Sequence, residues 1–466
     1  MNKFLQKIGI ASFVAGTVFA SMLPNAVQAA GMSSAAKAGL DKEITEMIGN
    51  DGTHVPGLSV IVYKDGKKVY SKAAGRSYID AADPSKDKAM NADTRFRIAS
   101  VSKQFTAFTI MQLIADGKLS LDGDVSKYLG FNLRNPNYPD TPITIRMLLS
   151  HTSSLRDGRI YSIPPQDNVQ EFFQPTGRYY EAGAHFAPLG QAPGKYFKYT
   201  NLNYGLLGTI IEKVTGERFD KYQREHILKQ LDIKGSYNVG DFDAQDLKRL
   251  GVIYQKQKDN VWDEHGPWIA QLDDYRGKLQ NPEMVLINNP DQRTGDSWYS
   301  LKNYVPGTNA TIFSPQGGLR ISSNELSHLL EMLLNRGYYK GKEIVKPELI
   351  NEMLTLQWRY DPQNPNGSTY GGSIEGYCLA EQPIFGAGTS RVVKDHEIDL
   401  RGHLGEAYGL LSGVMIRPDS KDGFIYIANG EAVAEEDDPR GAGNFSGNYV
   451  WEENIMQAIC THAFLQ

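Results

Sequence analysis

Apolar residues recur at helical spacing at both ends of the 466-residue chain and once in its second half. The spacing of one turn predicts helices over Met32–Met47, Asn324–Arg336 and Tyr449–Phe464. Short apolar runs bounded by turn residues predict strands instead. The first two such runs, Leu58–Tyr63 and Lys67–Ala73, are joined by Lys64-Asp65-Gly66, which is typical of a β-hairpin.

Three further strands are predicted near the C-terminal end, over His396–Leu404, Leu410–Arg417 and Gly423–Ala428. Between Ser100 and about Leu231 the pattern is mostly helical. Strands at both ends with helices between them indicate a mixed α/β (α+β) fold, in which an antiparallel sheet flanked by helices receives an inserted all-helical domain. We therefore expect a discontinuous sheet domain from residues 30–99 and 310–466, and a mainly helical domain with long loops from residues 100–309.

Two long segments break the helical pattern. Leu155–Gly194 is rich in Gly, Pro and aromatic residues. Loops of this length are often functional, so the segment is either a lid or substrate wall, or an ordinary packed excursion on the surface. Tyr254–Phe313 is also aromatic, and its pattern predicts irregular structure.

Residues 1–29 have the pattern of a secretory signal. Lys3 and Lys7 precede the apolar stretch Ile8–Leu23, and Val27-Gln28-Ala29 fits a small-residue cleavage site. No later stretch is apolar and long enough to span a bilayer. We expect an exported protein, periplasmic or extracellular, with no transmembrane segment once the signal is removed.

Charge and cysteine content exclude some classes of function. The formal net charge is −5, and it becomes −7 when the signal and its two lysines are removed. Such a chain is not expected to bind nucleic acid. The nine histidines show no metal-ligand spacing, which predicts neither a metal nor another cofactor. An oxidising compartment would permit a disulfide between Cys378 and Cys460, but the sequence leaves this pairing open.

The first candidate for chemistry is Ser100, which is followed three residues later by Lys103. The same spacing occurs at Ser34 and Ser85, but only Ser100 follows an apolar run and opens a helix-like one. A helix start favours developing negative charge. A serine nucleophile needs an adjacent base, and an amine with a lowered pKa can serve. The alternative is that Ser100 only caps a helix.

Two further motifs could complete such a site. Tyr199-Thr200-Asn201 offers a phenol that can relay a proton and an amide that both donates and accepts. His403-Leu404-Gly405 lies in a predicted strand, where glycine permits close backbone approach and a substrate could pair as an added strand. Taken singly, each motif is also compatible with a purely structural role.

In this order and at these separations, the three motifs resemble those of the serine β-lactamase and penicillin-binding protein superfamily. The Tyr-x-Asn form of the second motif is similar to that of the class C β-lactamase-like branch. A histidine in the third motif, here His403, resembles the pattern of the DD-carboxypeptidases of that branch and of their esterase and D-aminopeptidase relatives. Supporting segments also resemble that branch: Pro56–Val62, Thr144–Leu155 and Gly317–Ser323.

The resemblance implies a β-lactamase/transpeptidase-like fold and an acyl-enzyme mechanism. Ser100 would attack an amide or ester carbonyl, Lys103 and Tyr199 would move its proton, and Asn201 would orient Lys103 and the substrate. His403 would supply a proton or positive charge. The oxyanion hole would use the backbone N–H groups of Ser100 and of Glu406, which follows Gly405.

One position departs from the family pattern. Members that bind a substrate carboxylate usually carry a hydroxyl residue where this chain has Leu404, and Glu406 would repel such a group. Arg401 is a candidate to compensate. Three functions stay open: a hydrolase of peptide-like substrates, including cell-wall peptides; an esterase or D-aminopeptidase on the same scaffold; and a non-catalytic penicillin-binding or sensing protein.

Overall fold

The computed structural model describes residues 31–48, 54–276, 278–279, 283–287, 297–384, 392–433 and 442–465. The predicted signal, residues 1–29, lies outside the described residues. The α-helices are α1 Ser34–Ile48, α2 Ser102–Ala115, α3 Val125–Leu129, α4 Ile145–Leu149, α5 Leu202–Thr215, α6 Phe219–Gln223, α7 Ala244–Lys248, α8 Ser323–Leu334, α9 Pro347–Leu354 and α10 Val450–Ala463.

The β-strands are mostly short, and they lie in both halves of the chain. In chain order they are β1 Gly57–Lys64, β2 Lys67–Tyr78, β3 Lys88–Ala89, β4 Arg95–Arg97, β5 Ile253–Lys258, β6 Val261–Trp262, β7 Trp268–Leu272, β8 Met284–Ile287, β9 Ser297–Ser300, β10 Arg320–Ser322, β11 Tyr338–Tyr339, β12 Lys342–Glu343, β13 Trp358–Arg359, β14 Gly376–Tyr377, β15 Gln382–Ile384, β16 Leu400–Ala407, β17 Leu410–Ile416, β18 Gly423–Ala428 and β19 Gly430–Glu431.

The main sheet joins the two ends of the chain. Its strand order is β15-β16-β17-β18-β1-β2-β3, and neighbouring strands run antiparallel. The join is between β1 and β18, where Leu58 pairs with Ala428 and Val62 with Phe424. The N-terminal hairpin therefore needs the C-terminal strands to complete its hydrogen bonds, since an isolated two-stranded hairpin is marginal in water.

Each face of the sheet is buried against different helices, as alternating strand side chains require. On one face, Leu411 and Met415 of β17 pack in a cluster with the terminal helices α1 and α10. On the other face, Leu410 and Val414 join the larger cluster that contains α2, α5 and α8. Successive residues of one strand thus contribute to two separate cores.

The predicted fold class is confirmed, because an antiparallel sheet is flanked by helices on both faces. The predicted terminal helices and the N-terminal hairpin are present with small changes of boundary. The strand predicted over His396–Leu404 begins later, at Leu400, and continues to Ala407. Residues 31–466 form one compact unit. The division into a sheet domain and an inserted helical domain stays a prediction.

The prediction of irregular structure over Tyr254–Phe313 is wrong for part of that segment. Strands β5 to β9 lie within or overlap it, and β5 also pairs with β19. These strands have two to six residues and carry several polar side chains. The alternation that identifies a strand therefore has few positions in which to appear.

Two further findings concern membrane-spanning helices and the two cysteines. Among the described residues, no helix has the length and apolar character required to cross a bilayer. Cys378 and Cys460 are both buried and are not joined in a disulfide. The pairing that the sequence leaves open is therefore not made in this structure.

A buried ion pair connects the β5–β7 region to β10. Arg320 donates from two guanidinium nitrogens to the two oxygens of Asp273, at 3.0 and 2.9 Å, and both side chains are buried. Removing one partner of a buried pair leaves an uncompensated charge and costs about 3–5 kcal/mol.

We expect Arg320→Gln to lower the free energy of unfolding by about 3–5 kcal/mol, measured by urea denaturation. Arg276→Gln, which removes an exposed partner of Asp274, is the matched control. Equal stability of the two variants would contradict this expectation.

Candidate active site

Ser100 lies on a 3₁₀ turn, Ala99–Val101, that leads directly into α2. The preceding residue, Ala99, has a φ of 46°, a left-handed conformation that is uncommon for a residue with a side chain. Such strain persists only where the surrounding structure enforces it, and it is concentrated at functional sites. Ser100 remains partly exposed, whereas Ala99 and Val101 are buried on either side.

Lys103 lies one turn further along, and its amine is completely enclosed. Nζ lies 3.0 Å from the Ser100 Oγ, 2.9 Å from the Asn201 Oδ1 and 3.1 Å from the carbonyl oxygen of Gln316. The last two partners can only accept hydrogen bonds. A neutral amine has two N–H groups for those acceptors, and its lone pair is then left for the Ser100 hydroxyl.

The electrostatic setting favours the neutral amine. Burial lowers the pKa of Lys103 to about 7, and the charge of Asp157 raises it against that trend. The rings of Tyr199 and Tyr204, 4.7 and 5.4 Å from Nζ, also favour the ammonium, so burial is the factor that favours the neutral amine. A large fraction of Lys103 is therefore unprotonated near neutral pH, as a general base requires.

Tyr199 lies against the same serine, just before α5. Its ring stacks on His151 with centroids 4.3 Å apart. Burial raises the pKa of Tyr199 far above its ordinary value, and the neighbouring Ser100 side chain only partly offsets this. The phenol therefore stays protonated, which disfavours a standing phenolate and favours a hydroxyl that passes a proton on.

Asn201 connects Lys103 to an acidic residue that the sequence analysis does not single out. Its Nδ2 donates to the Asp157 Oδ2 at 3.2 Å, and the backbone N–H of Leu202 donates to the Asp157 Oδ1 at 2.8 Å. A carboxylate can only accept, so the amide nitrogen must face Asp157. The amide oxygen is then directed at Lys103.

Strand β16 approaches the nucleophile with its backbone. A side chain at Gly405 would lie 2.6 Å from the Ile98 carbonyl oxygen and 3.2 Å from the Ser100 nitrogen, so only glycine permits this contact. Ser412 on β17 strengthens the junction by donating to the same Ile98 carbonyl at 2.9 Å. The third predicted motif is therefore in contact with the turn that carries the first.

The register of β16 sets the direction of its backbone groups. Ala407 pairs with Leu410 across the turn Tyr408-Gly409, whose φ values of 59° and 93° are those of a type I′ hairpin. Pairs in an antiparallel ladder alternate between hydrogen-bonded and non-hydrogen-bonded. Leu404 and Glu406 therefore direct their N–H and C=O groups to the outer edge of the sheet, where an oxyanion or a substrate backbone could be bound.

His403 is buried and neutral in this site. Its Nδ1 contacts the Leu404 carbonyl oxygen, which can only accept, so Nδ1 carries the proton. Its Nε2 then accepts from the Tyr377 hydroxyl at 2.8 Å. Burial, with a contribution from Lys103, lowers the pKa of His403 to about 3. The structure therefore disfavours the positive charge expected at His403, because a charged imidazole would lose its hydration in this buried position.

The structure also shows on which face of the sheet the Leu404 side chain lies. Leu404 packs against the cluster of the terminal helices, on the face of the sheet opposite His403. Alternation places the exposed Glu406 side chain on that same face. Arg401 donates to the Leu354 carbonyl and lies 3.6 Å from Asp399, so its guanidinium already has two partners. The effect of these three side chains on carboxylate binding stays a prediction.

The segment Leu155–Gly194 is packed, and one end of it borders the site. Leu155, Ile163 and Phe172 are buried in the main core, and the Ala187 N–H donates to the Ser154 carbonyl at 2.9 Å. Burial raises the pKa of the Tyr161 phenol, and the nearby charges of Tyr408, Asp157 and Glu406 add to this effect. Most of this segment is therefore an ordinary packed excursion, while the part around Tyr161 borders the site and is a candidate substrate wall.

The structure adds three groups that sequence reasoning missed. Asp157 follows Leu155-Arg156 directly after one of the supporting segments, so its position in the motif is a signal that could have identified it. Tyr377 and the Gln316 carbonyl carry no local signal, since they reach the site only through the fold. The described residues contain no group of three or more His, Cys, Asp or Glu placed to hold a metal.

The antiparallel sheet, its flanking helices and the cluster of Ser100, Lys103 and Tyr199 together define a β-lactamase/transpeptidase-like fold with a candidate site beside β16. The sequence profile of the Beta-lactamase family matches residues 40–446, and the chain belongs to that family. It is 32% identical over 289 residues to protein flp of Staphylococcus aureus (strain MRSA252), covering 59% of this chain and 54% of the relative. The chain thus spans about half the length of the first curated relatives it matches.

Two broader similarities agree with this membership. A putative D-alanyl-D-alanine carboxypeptidase of Escherichia coli O157:H7 is 22% identical, with 79% of this chain and 82% of the relative covered. A class C β-lactamase solved in complex with cefoxitin superimposes with a TM-score of 0.59 at 17% identity, covering 92% of this chain and 99% of that one. The second similarity shows the fold alone.

The protonation state of His403 is open to direct measurement. We expect its imidazole to stay neutral down to about pH 4, with the proton on Nδ1, because burial holds its pKa at about 3. Nitrogen-15 NMR of histidine-labelled protein reports both the charge and the tautomer, and His403→Gln identifies the signal. A titration midpoint above pH 6 would show that His403 acts as a cation after all.

Proposed function

We propose that this protein is an exported serine hydrolase that forms an acyl-enzyme on amide or ester bonds of peptide-like substrates. The observation that carries the proposal is the 3.0 Å contact between the Ser100 Oγ and the enclosed amine of Lys103. A hydroxyl beside a buried, largely neutral amine is an activated nucleophile. A serine that only caps a helix needs no such partner.

The acylation step follows from the hydrogen bonds. Ser100 Oγ attacks the substrate carbonyl carbon, and its proton passes to the lone pair of Lys103. Asn201 and the Gln316 carbonyl stabilise the ammonium that forms, since both accept from Nζ. The protonated Tyr199 gives its proton to the leaving nitrogen or oxygen as the carbonyl–leaving-group bond breaks, and Lys103 returns a proton to the phenolate.

The carbonyl oxygen becomes an oxyanion during this step. The backbone N–H groups of Ser100 and Glu406 are the proposed donors, because the register directs the Glu406 N–H to the outer edge of β16 and the preceding residue, Gly405, contacts the Ser100 turn. One such donor is typically worth about 3 kcal/mol of transition-state stabilisation. Water then attacks the acyl-enzyme, and the same groups move the protons in reverse.

The substrate class is proposed from the edge of β16. Backbone groups of Leu404 and Glu406 directed outward can pair with an extended peptide as an added strand. The relative whose name indicates a carboxypeptidase supports a peptide-like substrate, and cell-wall peptides are the first class to test. Since the Leu404 side chain faces away, backbone pairing rather than this side chain would provide recognition.

The identity of the nucleophile is tested by labelling. We expect a fluorophosphonate to add one mass equivalent to the mature wild type and none to Ser100→Ala, because among the serines that the structure describes only Ser100 is paired with a buried amine. Ser85→Ala is the matched control, since Ser85 also precedes a lysine by three residues but is exposed and bonded to Asp83. Full labelling of Ser100→Ala, or none of the wild type, would refute the proposal.

The pH dependence tests the base. Lys103 must be unprotonated to accept the Ser100 proton, and its pKa is about 7. The acylation rate with a neutral activated ester should therefore rise about tenfold per pH unit below pH 7 and level off about one unit above it. Stopped-flow measurements from pH 5 to 9 give the profile. A rate that is flat or falls across this range is incompatible with Lys103 as the base.

A further inference from the structure

We propose that Asp157 is a positioning residue of this site, which fixes the orientation of the Asn201 amide and presents a negative charge to Lys103. The inference rests on the proposed function for its catalytic meaning. The contacts that support it are independent of any substrate.

The two carboxylate oxygens of Asp157 accept hydrogen bonds from different donors. Oδ2 accepts from the Asn201 Nδ2 at 3.2 Å, and Oδ1 accepts from the Leu202 backbone N–H at 2.8 Å. Leu202 is the first residue of α5, so the second bond holds the carboxylate at a helix N-terminus, where negative charge is favourable. A carboxylate thus serves two donors whose relative position the helix determines.

The first bond has a consequence for the base. An amide can rotate by half a turn and exchange its oxygen and nitrogen, and only the partners decide between the two states. Asp157 accepts and cannot donate when ionised, so the Asn201 nitrogen is held on its side. The Asn201 oxygen is therefore held 2.9 Å from the Lys103 Nζ, where the opposite orientation would place N–H against N–H.

The second consequence is electrostatic. Asp157 is the charged group that raises the pKa of Lys103 while burial lowers it. Burial also raises the pKa of Asp157, partly offset by the bonds from Leu202 and Asn201 and by the charge of Lys103. The other titratable groups that face these two residues among the described residues are on the adjoining loops, on α5 and on β16: Arg156, Tyr161, Tyr199, Tyr204, His151 and His403.

A purely structural helix cap predicts something different. Loss of a residue that acts only as a cap lowers stability and leaves the titration of a lysine on another helix unchanged. A positioning residue changes the titration of Lys103 itself, because both the opposing charge and the amide orientation are lost. The pH midpoint of Lys103 therefore separates the two roles.

The test titrates Lys103 directly in the full mature protein. Lysine labelled with carbon-13 at Cε gives NMR signals that shift with the charge of Nζ, and Lys103→Ala identifies the relevant signal. In Asp157→Asn we expect the Lys103 midpoint to fall by about one pH unit, since an opposite charge has been removed. The acid limb of the ester acylation profile should move by the same amount. Its plateau should drop at least about tenfold, because Asn can accept from only one of the two N–H groups.

Three further variants make the result specific. Asp157→Glu keeps the charge, so its Lys103 midpoint should stay nearer to the wild type than that of Asp157→Asn. Asp124→Asn is the matched control, because Asp124 also accepts at a helix start, from the Ser126 N–H, and pairs with Arg134. Asp157→Ser replaces Asp157→Asn if the latter does not fold, and the same downward shift is expected.

The outcomes are distinguishable. A Lys103 midpoint in Asp157→Asn or Asp157→Ser equal to the wild type would overturn the inference and leave Asp157 as a helix cap. A lowered midpoint supports it even if the wild type takes up no fluorophosphonate. In that case the proposed function fails, while the coupling of Asp157 to Lys103 stands.

Discussion

The site depends on the enclosure of one amine. Lys103 lies within a core where an ammonium would lose its hydration, and this burial is what lowers its pKa to about 7. Its three partners, Ser100, Asn201 and the Gln316 carbonyl, come from three separate parts of the chain. The lowered pKa of Lys103 and the orientation of its Nζ toward Ser100 therefore both depend on the fold that brings these parts together.

The sheet provides that assembly. Because β1 pairs with β18, the two ends of the chain close one sheet, and only β17 and β18 separate β16 from β1 in that sheet. Gly405 then allows the β16 backbone to contact the turn at Ser100, and Ser412 holds the same turn by its Ile98 carbonyl. The nucleophile, which lies on a strained turn, is thus fixed by backbone contacts on one side and by the base on the other.

Much of this could be predicted from local patterns. The helices at both ends, the N-terminal hairpin and the three chemical motifs all have signals within a few residues. Ser100 was distinguishable from Ser85 because the flanking apolar residues already indicate which serine opens a buried helix. The β5–β9 strands were missed for the converse reason: they are too short and too polar to show alternation.

The sequence by itself determined which residues are candidates for the chemistry, because the proposed nucleophile, base and phenol are specified by residue type and spacing. Only the tertiary structure decided their states. His403 is neutral since the fold buries it beside Tyr377, and Leu404 faces the terminal helices since the register of β16 puts it there. Asp157 meets Asn201 only when the loop after α4 packs against α5. Charge, direction and burial depend on neighbours that are distant in sequence, and no local pattern contains them.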